Sequence, residues 1–234
     1  MIEVKNISKV YGKKNAAFTA LDSVSLSIPS GSSVAILGKS GSGKSTLMHA
    51  MSGLDMPNSG EVIIDGEDIL KMKTKAVDRF RATKMSFIFQ SFFVQANETC
   101  YDNVSLPLEI AQLTASERRK KVEKALQEVE LSDKIKSKAK NLSGGQKQRL
   151  AVARAIVNDP QVLFADEPTG NLDSVTSATI EDLLFGYVKE NGTTLIIVTH
   201  DAELAAKCDI EVRIKDGIIE SVKNKTTQKS ESKA

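Results

Sequence analysis

Nine consecutive residues, Gly38-Lys39-Ser40-Gly41-Ser42-Gly43-Lys44-Ser45-Thr46, have the make-up of a phosphate cradle. Gly38, Gly41 and Gly43 let the backbone turn its N–H groups inward around phosphate oxygens. The apolar run Val34-Ala35-Ile36-Leu37 before them reads as a buried strand. A helix opening near Lys44 would add its favourable N-terminal field. In that setting Lys44 reaches β- and γ-phosphates, Ser45 offers a hydroxyl to Mg²⁺, and Thr46 gives a further phosphate contact. A second apolar run, Val162-Leu163-Phe164-Ala165, ends in Asp166 and Glu167. A carboxylate at such a strand end suits a phosphate-bound metal, usually through water, which is the expectation for Asp166. Glu167 projects differently and suits polarisation of an attacking water as general base.

Three further residues sit where they can join this chemistry. Gln90 ends the strand-like Phe87-Ile88-Phe89, and its amide suits Mg²⁺ or the water. His200 follows another apolar strand, residues 194–199, and suits a hydrogen bond to the γ-phosphate. Tyr11, in Val10-Tyr11-Gly12, suits stacking on adenine. Each has a structural alternative when taken alone: a surface glutamine, a satisfied histidine, a core or surface aromatic.

The elements that must position these residues can be read from hydrophobic period. Ile2, Val4 and Ile7, then Val24, Leu26 and Ile28, alternate as strands do. Val62-Ile63-Ile64 with Asp65-Gly66 reads as a strand and tight turn, and residues 85–89 as a strand. From about 101 to 158 the pattern is mostly helical, with Val122, Leu126 and Val129 on one face of residues 116–130. Lys134, Lys136, Lys138 and Lys140 read as a solvated surface. Ser143 suits the N-cap of a helix through Arg149, Ala153 and Val157, ended by Asp159-Pro160. Strands return at 161–165 and 193–199 around a helix at 174–190, and a hairpin at 210–221 turns on Asp216-Gly217.

Strands alternating with helices imply an α/β core with a largely parallel sheet, an antiparallel N-terminal part and an inserted helical segment. One domain is expected over residues 1–222, its core about 1–91 and 159–222 and its helical subdomain about 92–158. The polar stretch 223–234 is expected to be disordered. Formal charge is +2, from 32 basic and 30 acidic residues, too balanced for a general nucleic-acid coat, so no nucleic-acid partner is expected. No apolar run approaches the ~20 residues that span a bilayer. Residues 1–5 lack a signal-peptide core. A membrane role is therefore expected to come through a separate partner. Cys100 and Cys208 lack metal or disulfide spacing and read as reduced thiols.

Leu142-Ser143-Gly144-Gly145-Gln146, between the glycine loop and the acidic strand end, gives these pieces a shared pattern. Together they resemble the ATP-binding cassette (ABC) family over about residues 1–222. The resemblance implies a P-loop NTPase (RecA-like) fold. It makes residues 38–46 the Walker A loop, Gln90 the Q-loop, 142–146 the signature and Asp166 the end of Walker B. Glu167 becomes the catalytic glutamate, Asn171-Leu172-Asp173 the D-loop, His200 the switch histidine and Tyr11 the adenine contact. It implies ATP and Mg²⁺, with Ser45, Gln90 and Asp166 at the metal. It also implies a head-to-tail homodimer. Ser143, Gly144, Gly145 and Gln146 of one copy then meet the γ-phosphate held by the other, and Asp173 couples the two sites.

Gly53-Leu54-Asp55, Ser59-Gly60, Asp102-Asn103-Val104-Ser105-Leu106-Pro107-Leu108 and Gly170-Asn171-Leu172-Asp173-Ser174 resemble the macrolide-export, lipoprotein-release and bacitracin-efflux branch. That implies a peripheral ATPase on the cytoplasmic face of the membrane, driving a separate permease that exports peptides, antibiotics or lipoproteins. Two other classes fit the cassette: a cell-division type that transmits force without moving solute, and a soluble type acting on ribosomes or DNA. Ala96, Glu98 and Ala139 depart from the branch pattern; proline is common at position 139.

Overall fold

The computed structural model describes residues 1–13 and 16–225, so most of the tail expected to be disordered lies outside the described residues. The chain forms two compact units, residues 1–81 with the chain from 194 onward, and residues 82–193.

The first unit opens with an antiparallel sheet in the order β2-β1-β4-β5, made of β1 (Ile2–Tyr11), β2 (Phe18–Ile28), β4 (Ser59–Ile64) and β5 (Glu67–Asp68). Ile2 faces both Ile28 and Ile64 across the ladder, and Val4 faces Leu26 and Val62, so one row of β-branched and leucine side chains is buried. β1 and β2 both run further than their alternating residues suggest, up to Tyr11 and from Phe18. The same unit holds a second set of strands: β3 (Ser33–Leu37), β8 (Thr194–Thr199), β9 (Ile210–Lys215) and β10 (Ile218–Asn224). β3 pairs in parallel with both β8 and β9, and β9 with β10 as an antiparallel hairpin. Every residue of β3 and β8 is buried, as expected for central parallel strands covered on both faces. Helix α1 (Lys44–Met51) follows the glycine loop, and α7 (Ala202–Lys207) follows β8.

The second unit takes in, besides the helical stretch, the strands β6 (Met85–Ile88) and β7 (Val162–Asp166), which pair in parallel. Phe87 stacks on Phe164 across that pair with centroids 5.3 Å apart, worth about 0.5–1.5 kcal/mol beyond the area it buries. Three of its helices, α3 (Cys100–Ile110), α4 (Ala115–Glu128) and α5 (Gly144–Ile156), start with the same device. Thr99, Thr114 and Ser143 each accept from a backbone N–H three residues on, while Asp102, Glu117 and Gln146 reach back to the cap. Helix α6 (Ser174–Asn191) starts on Asp173 and ends on Gly192 in the left-handed region. Two helices were not foreseen: α2 (Thr74–Lys84), which buries only Val77 and Phe80, and α7, which has only six residues. Among the described residues no helix is long and apolar enough to cross a membrane. Both cysteines are buried and neither forms a disulfide.

Candidate nucleotide site

In the first unit the glycine loop leaves β3 and enters α1, as its sequence context requires. Gly43 caps α1 with φ 103°, a backbone shape that side chains rarely take. Its α-carbon also packs against β2, and a Cβ there would lie 2.6 Å from the Ala20 carbonyl oxygen. The turn after β9 holds the loop from the other side: the Gly217 N–H donates to the Ser42 carbonyl at 3.0 Å, and the Asp22 N–H donates to the Gly217 carbonyl at 2.9 Å. Lys44 folds back over the loop, its Nζ donating to the carbonyls of Gly38 at 2.9 Å and Lys39 at 3.1 Å. The ammonium is thus held where the loop turns, and Ser40 and Gly41 form the exposed tip. Ser45 and Thr46 are half-buried on the first turn of α1.

Leu37 and Thr199 pair in the parallel register of β3 and β8. Gly38 and His200 therefore leave neighbouring strands at the same edge, with His200 exposed. Tyr11 ends β1 and is 40% exposed. Its hydroxyl donates to Asp55 Oδ2 at 2.5 Å, and the Lys9 ammonium lies 5.0 Å from the ring centroid. Burial, then the hydrogen bond to Asp55, raises the Tyr11 phenol above its ordinary range, while Thr46 opposes the shift. Asp55 itself is disfavoured as an anion by burial, yet the hydrogen bonds from Lys9 and Tyr11 hold its carboxyl below the usual range. Tyr11 is thereby held as an aromatic edge by its hydrogen bond to Asp55 and the Lys9 ammonium over its ring.

In the second unit Ile88 pairs with Ala165, so Gln90 and the Asp166-Glu167 pair leave β6 and β7 at one edge. Glu167 has φ 46°, the left-handed region, although a residue before proline is normally extended. The turn closes when the Gly170 N–H donates to the Glu167 carbonyl at 3.1 Å. Asn171 then donates to the Gln90 carbonyl at 2.9 Å. A Cβ on Gly170 would lie 3.2 Å from the Gln90 side-chain nitrogen, so the amide rests on this turn. Gln90, the acidic pair and the start of the D-loop are one connected constellation.

The signature segment lies in the same unit. Ser143 caps α5, and Gln146 closes the capping box by accepting from the Ser143 N–H at 3.0 Å. Gln146 is thus spent on holding the helix terminus, leaving Ser143 and Gly144 exposed at its tip. Asp173 caps α6, and the backbone N–H of Thr176, then its hydroxyl, holds the Asp173 carboxyl below the usual carboxylate range. A cavity of about 540 Å³ is lined by Ser143, Gly144, Gly145, Gln146, Asp173 and Thr176, among others. Signature and D-loop therefore share one wall. The candidate residues fall into two groups: the phosphate loop, Tyr11 and His200 in one unit; Gln90, Asp166, Glu167, the signature and Asp173 in the other.

Sequence reasoning missed two residues of α5 that act on backbone carbonyls. Gln148, fully buried, donates through Nε2 to the Pro168 carbonyl, next to Glu167. Arg154 donates to the carbonyls of Phe93 at 2.7 Å and Phe92 at 3.0 Å, just after Gln90, and burial lowers its guanidinium's pKa. A Gln-x-x-x-x-x-Arg spacing carries no signal for carbonyls that only tertiary structure brings near.

The candidate metal donors are all hard oxygens: the Ser45 hydroxyl in the first unit, and the Gln90 amide and the Asp166 carboxylate in the second. Among the described residues no group of three or more His, Cys, Asp or Glu side chains could hold a metal alone. Oxygen donors of this kind suit Mg²⁺, which keeps waters and substrate phosphates in its shell and uses one or two protein oxygens.

A family model described as "ABC transporter" matches residues 21–170. The lipoprotein-releasing system ATP-binding protein LolD of Syntrophotalea carbinolica is 44% identical over 219 residues, 94% of this chain and 96% of that protein. The macrolide export ATP-binding/permease protein MacB of Hyphomonas neptunium is 42% identical over 219 residues, covering 94% of this chain and 34% of that longer protein. Among solved structures, the dimeric post-hydrolysis state of the ATP-binding cassette MJ0796 bound to ADP and Pi aligns with a TM-score of 0.88 at 37% identity. It covers 96% of this chain and 99% of that one.

Proposed function

This chain belongs to the ABC transporter family, as an ATP-binding subunit of the LolD/MacB branch that hydrolyses ATP; from that premise we propose that it powers a separate exporter permease from the cytoplasmic face of the membrane. Two copies close head-to-tail around two ATP molecules, and the cargo is a peptide, an antibiotic or a lipoprotein. The observation that carries the reading is the cavity shared by Ser143–Gly145 and Asp173, in a different unit from the phosphate loop. An exposed helix terminus that presents the capping hydroxyl of Ser143 and glycine N–H groups, beside the aspartate that caps α6, suits another molecule's phosphate. The dimeric cassette MJ0796 supports the arrangement, and the names LolD and MacB support the cargo class.

In this reading Tyr11 stacks on adenine, and the N–H groups of the loop cradle the phosphates. Lys44 exchanges its two carbonyl partners for β- and γ-phosphate oxygens. Ser45 and Asp166 would hold Mg²⁺, with Gln90 beside them; the metal supplies neutralisation of phosphate charge. Glu167 takes a proton from the attacking water, and His200 donates to the γ-phosphate. Ser143, Gly144 and Gly145 of the second copy complete the phosphate's surroundings, and Asp173 links the two sites.

The test is capture of the Glu167→Gln chain, with ATP, from detergent-solubilised native membranes. A co-purifying permease with a large extracytoplasmic domain is the expected result. A ribosomal or DNA-repair partner, with no permease, would overturn the transporter reading while leaving the ATPase intact.

A further inference from the structure

Both carboxylate oxygens of Asp173 are taken by one residue. Oδ1 accepts from the Thr176 N–H at 3.0 Å, and Oδ2 accepts from the Thr176 hydroxyl at 2.8 Å. The other branch of that side chain points at the signature. A Cβ built on Gly145 would lie 2.6 Å from Thr176 Cγ2, too close for two carbons, whereas Gly144 next to it has nothing within 4 Å. Gly145 is therefore a glycine because Thr176 occupies the space a side chain would need. All three residues line the cavity of about 540 Å³. A threonine alone does both tasks: valine has the methyl without the donor, serine the donor without the methyl.

We propose that Thr176 is a positioning residue that locks the D-loop aspartate and the signature glycine of one chain into a single surface, so that both reach the partner copy's nucleotide together. The inference rests on the head-to-tail reading above. Its physical content is that the two contacts cannot be made one at a time. The hydroxyl fixes Asp173, the methyl fixes the height of Gly145, and the short side chain between them has one rotatable bond.

The experiment uses the full chain in the Glu167→Gln background and follows ATP-driven dimerisation by sedimentation, with ADP as control. Nucleotide binding to dilute monomer is measured in parallel. Thr176→Val and Thr176→Ser are each expected to raise the ATP concentration for half-dimerisation by about 3- to 10-fold, from the loss of one charge-assisted hydrogen bond or one packed methyl. Monomer affinity for ATP stays within about 2-fold, since the phosphate loop is untouched. The decisive variant is Gly145→Ala, which should block dimerisation, and Thr176→Ser added to it, which should restore it by removing the methyl that the new Cβ strikes. A merely structural role for Thr176 would make the two defects add instead. Additive defects, or Thr176→Val and Thr176→Ser chains that dimerise like their parent, would overturn this inference alone. A Glu167→Gln parent that stays monomeric with ATP would overturn the head-to-tail reading, and this inference with it. Thr176→Ser keeps the cap of α6 intact, so it reports even if Thr176→Val fails to fold.

Discussion

Gly43 carries two constraints at once: φ of 103° and an approach to the Ala20 carbonyl that leaves 2.6 Å for any Cβ. Gly43→Ala is therefore expected to cost about 1–3 kcal/mol in denaturant unfolding, and to abolish ATP binding because the loop's N–H groups lose their aim. Unchanged ATP affinity would mean that the loop yields without losing its shape. Glu167 shows the opposite case, a large side chain held at φ 46°. Left-handed backbone costs about 1–2 kcal/mol in a non-glycine residue. Glu167→Gly should thus abolish turnover and raise stability by about 1 kcal/mol, read from the denaturant midpoint. A loss of stability would show that the carboxylate's own interactions outweigh the strain. The residue types proposed for this site could be named from the sequence because phosphate and metal chemistry restricts them to glycine, lysine, hydroxyl and carboxylate. The backbone at Glu167 was not, since the following Pro168 argues for an extended residue.

Helix α5 is the element through which the second unit is organised. Its first residue follows the Ser143 cap, Gly145 packs on Thr176, Gln148 holds Pro168, and Arg154 holds the loop after Gln90. Arg154 makes both bonds to carbonyls, from a half-buried position that burial makes costly for a cation. Arg154→Met is expected to cost about 2 kcal/mol in unfolding free energy, with turnover falling further because Gln90 loses the anchor of its loop. Arg154→Lys should recover less than half, because a single ammonium nitrogen on a shorter reach replaces the two guanidinium nitrogens, Nη1 and Nη2, that each donate to a separate carbonyl. Full recovery by lysine would reduce Arg154 to a simple charge. The cap of α5 was readable because Ser143 precedes a helical pattern, and the alternating β1 and β2 were readable because one face is buried. The short α2 and α7 were not, since each buries too few residues to set a period. Ala139 departs from a position where the branch commonly has proline. Its N–H donates to the Glu98 carbonyl at 3.0 Å, a bond that proline could not make. Ala96 takes part in the same pairing, its carbonyl accepting from the Lys140 N–H at 2.8 Å. The Ala139 departure is thus accounted for by a backbone bond that is invisible until the two segments are seen together, whereas nothing in the structure explains those at Ala96 and Glu98.

At the scale of the whole molecule, the candidate residues divide between two units, with the phosphate loop in one and the signature in the other. Ser143→Arg should leave ATP binding to the monomer unchanged and prevent ATP-driven dimerisation, because a long cation fills the exposed helix tip that the second phosphate needs. Sedimentation of Ser143→Arg in the Glu167→Gln background reads this directly, and retained dimers would contradict a shared site. The proposed head-to-tail site comes only from the family resemblance; nothing in hydrophobic period says that two motifs of one chain serve different nucleotides. That separation has a genetic corollary. A Lys44→Ala allele and a Ser143→Arg allele should each be null when expressed alone. Co-expressed, they form mixed pairs in which one composite centre inherits both lesions and the other inherits neither. Two dead genes should then restore part of a growth phenotype that neither supports, whereas two different lesions within the phosphate loop should not complement.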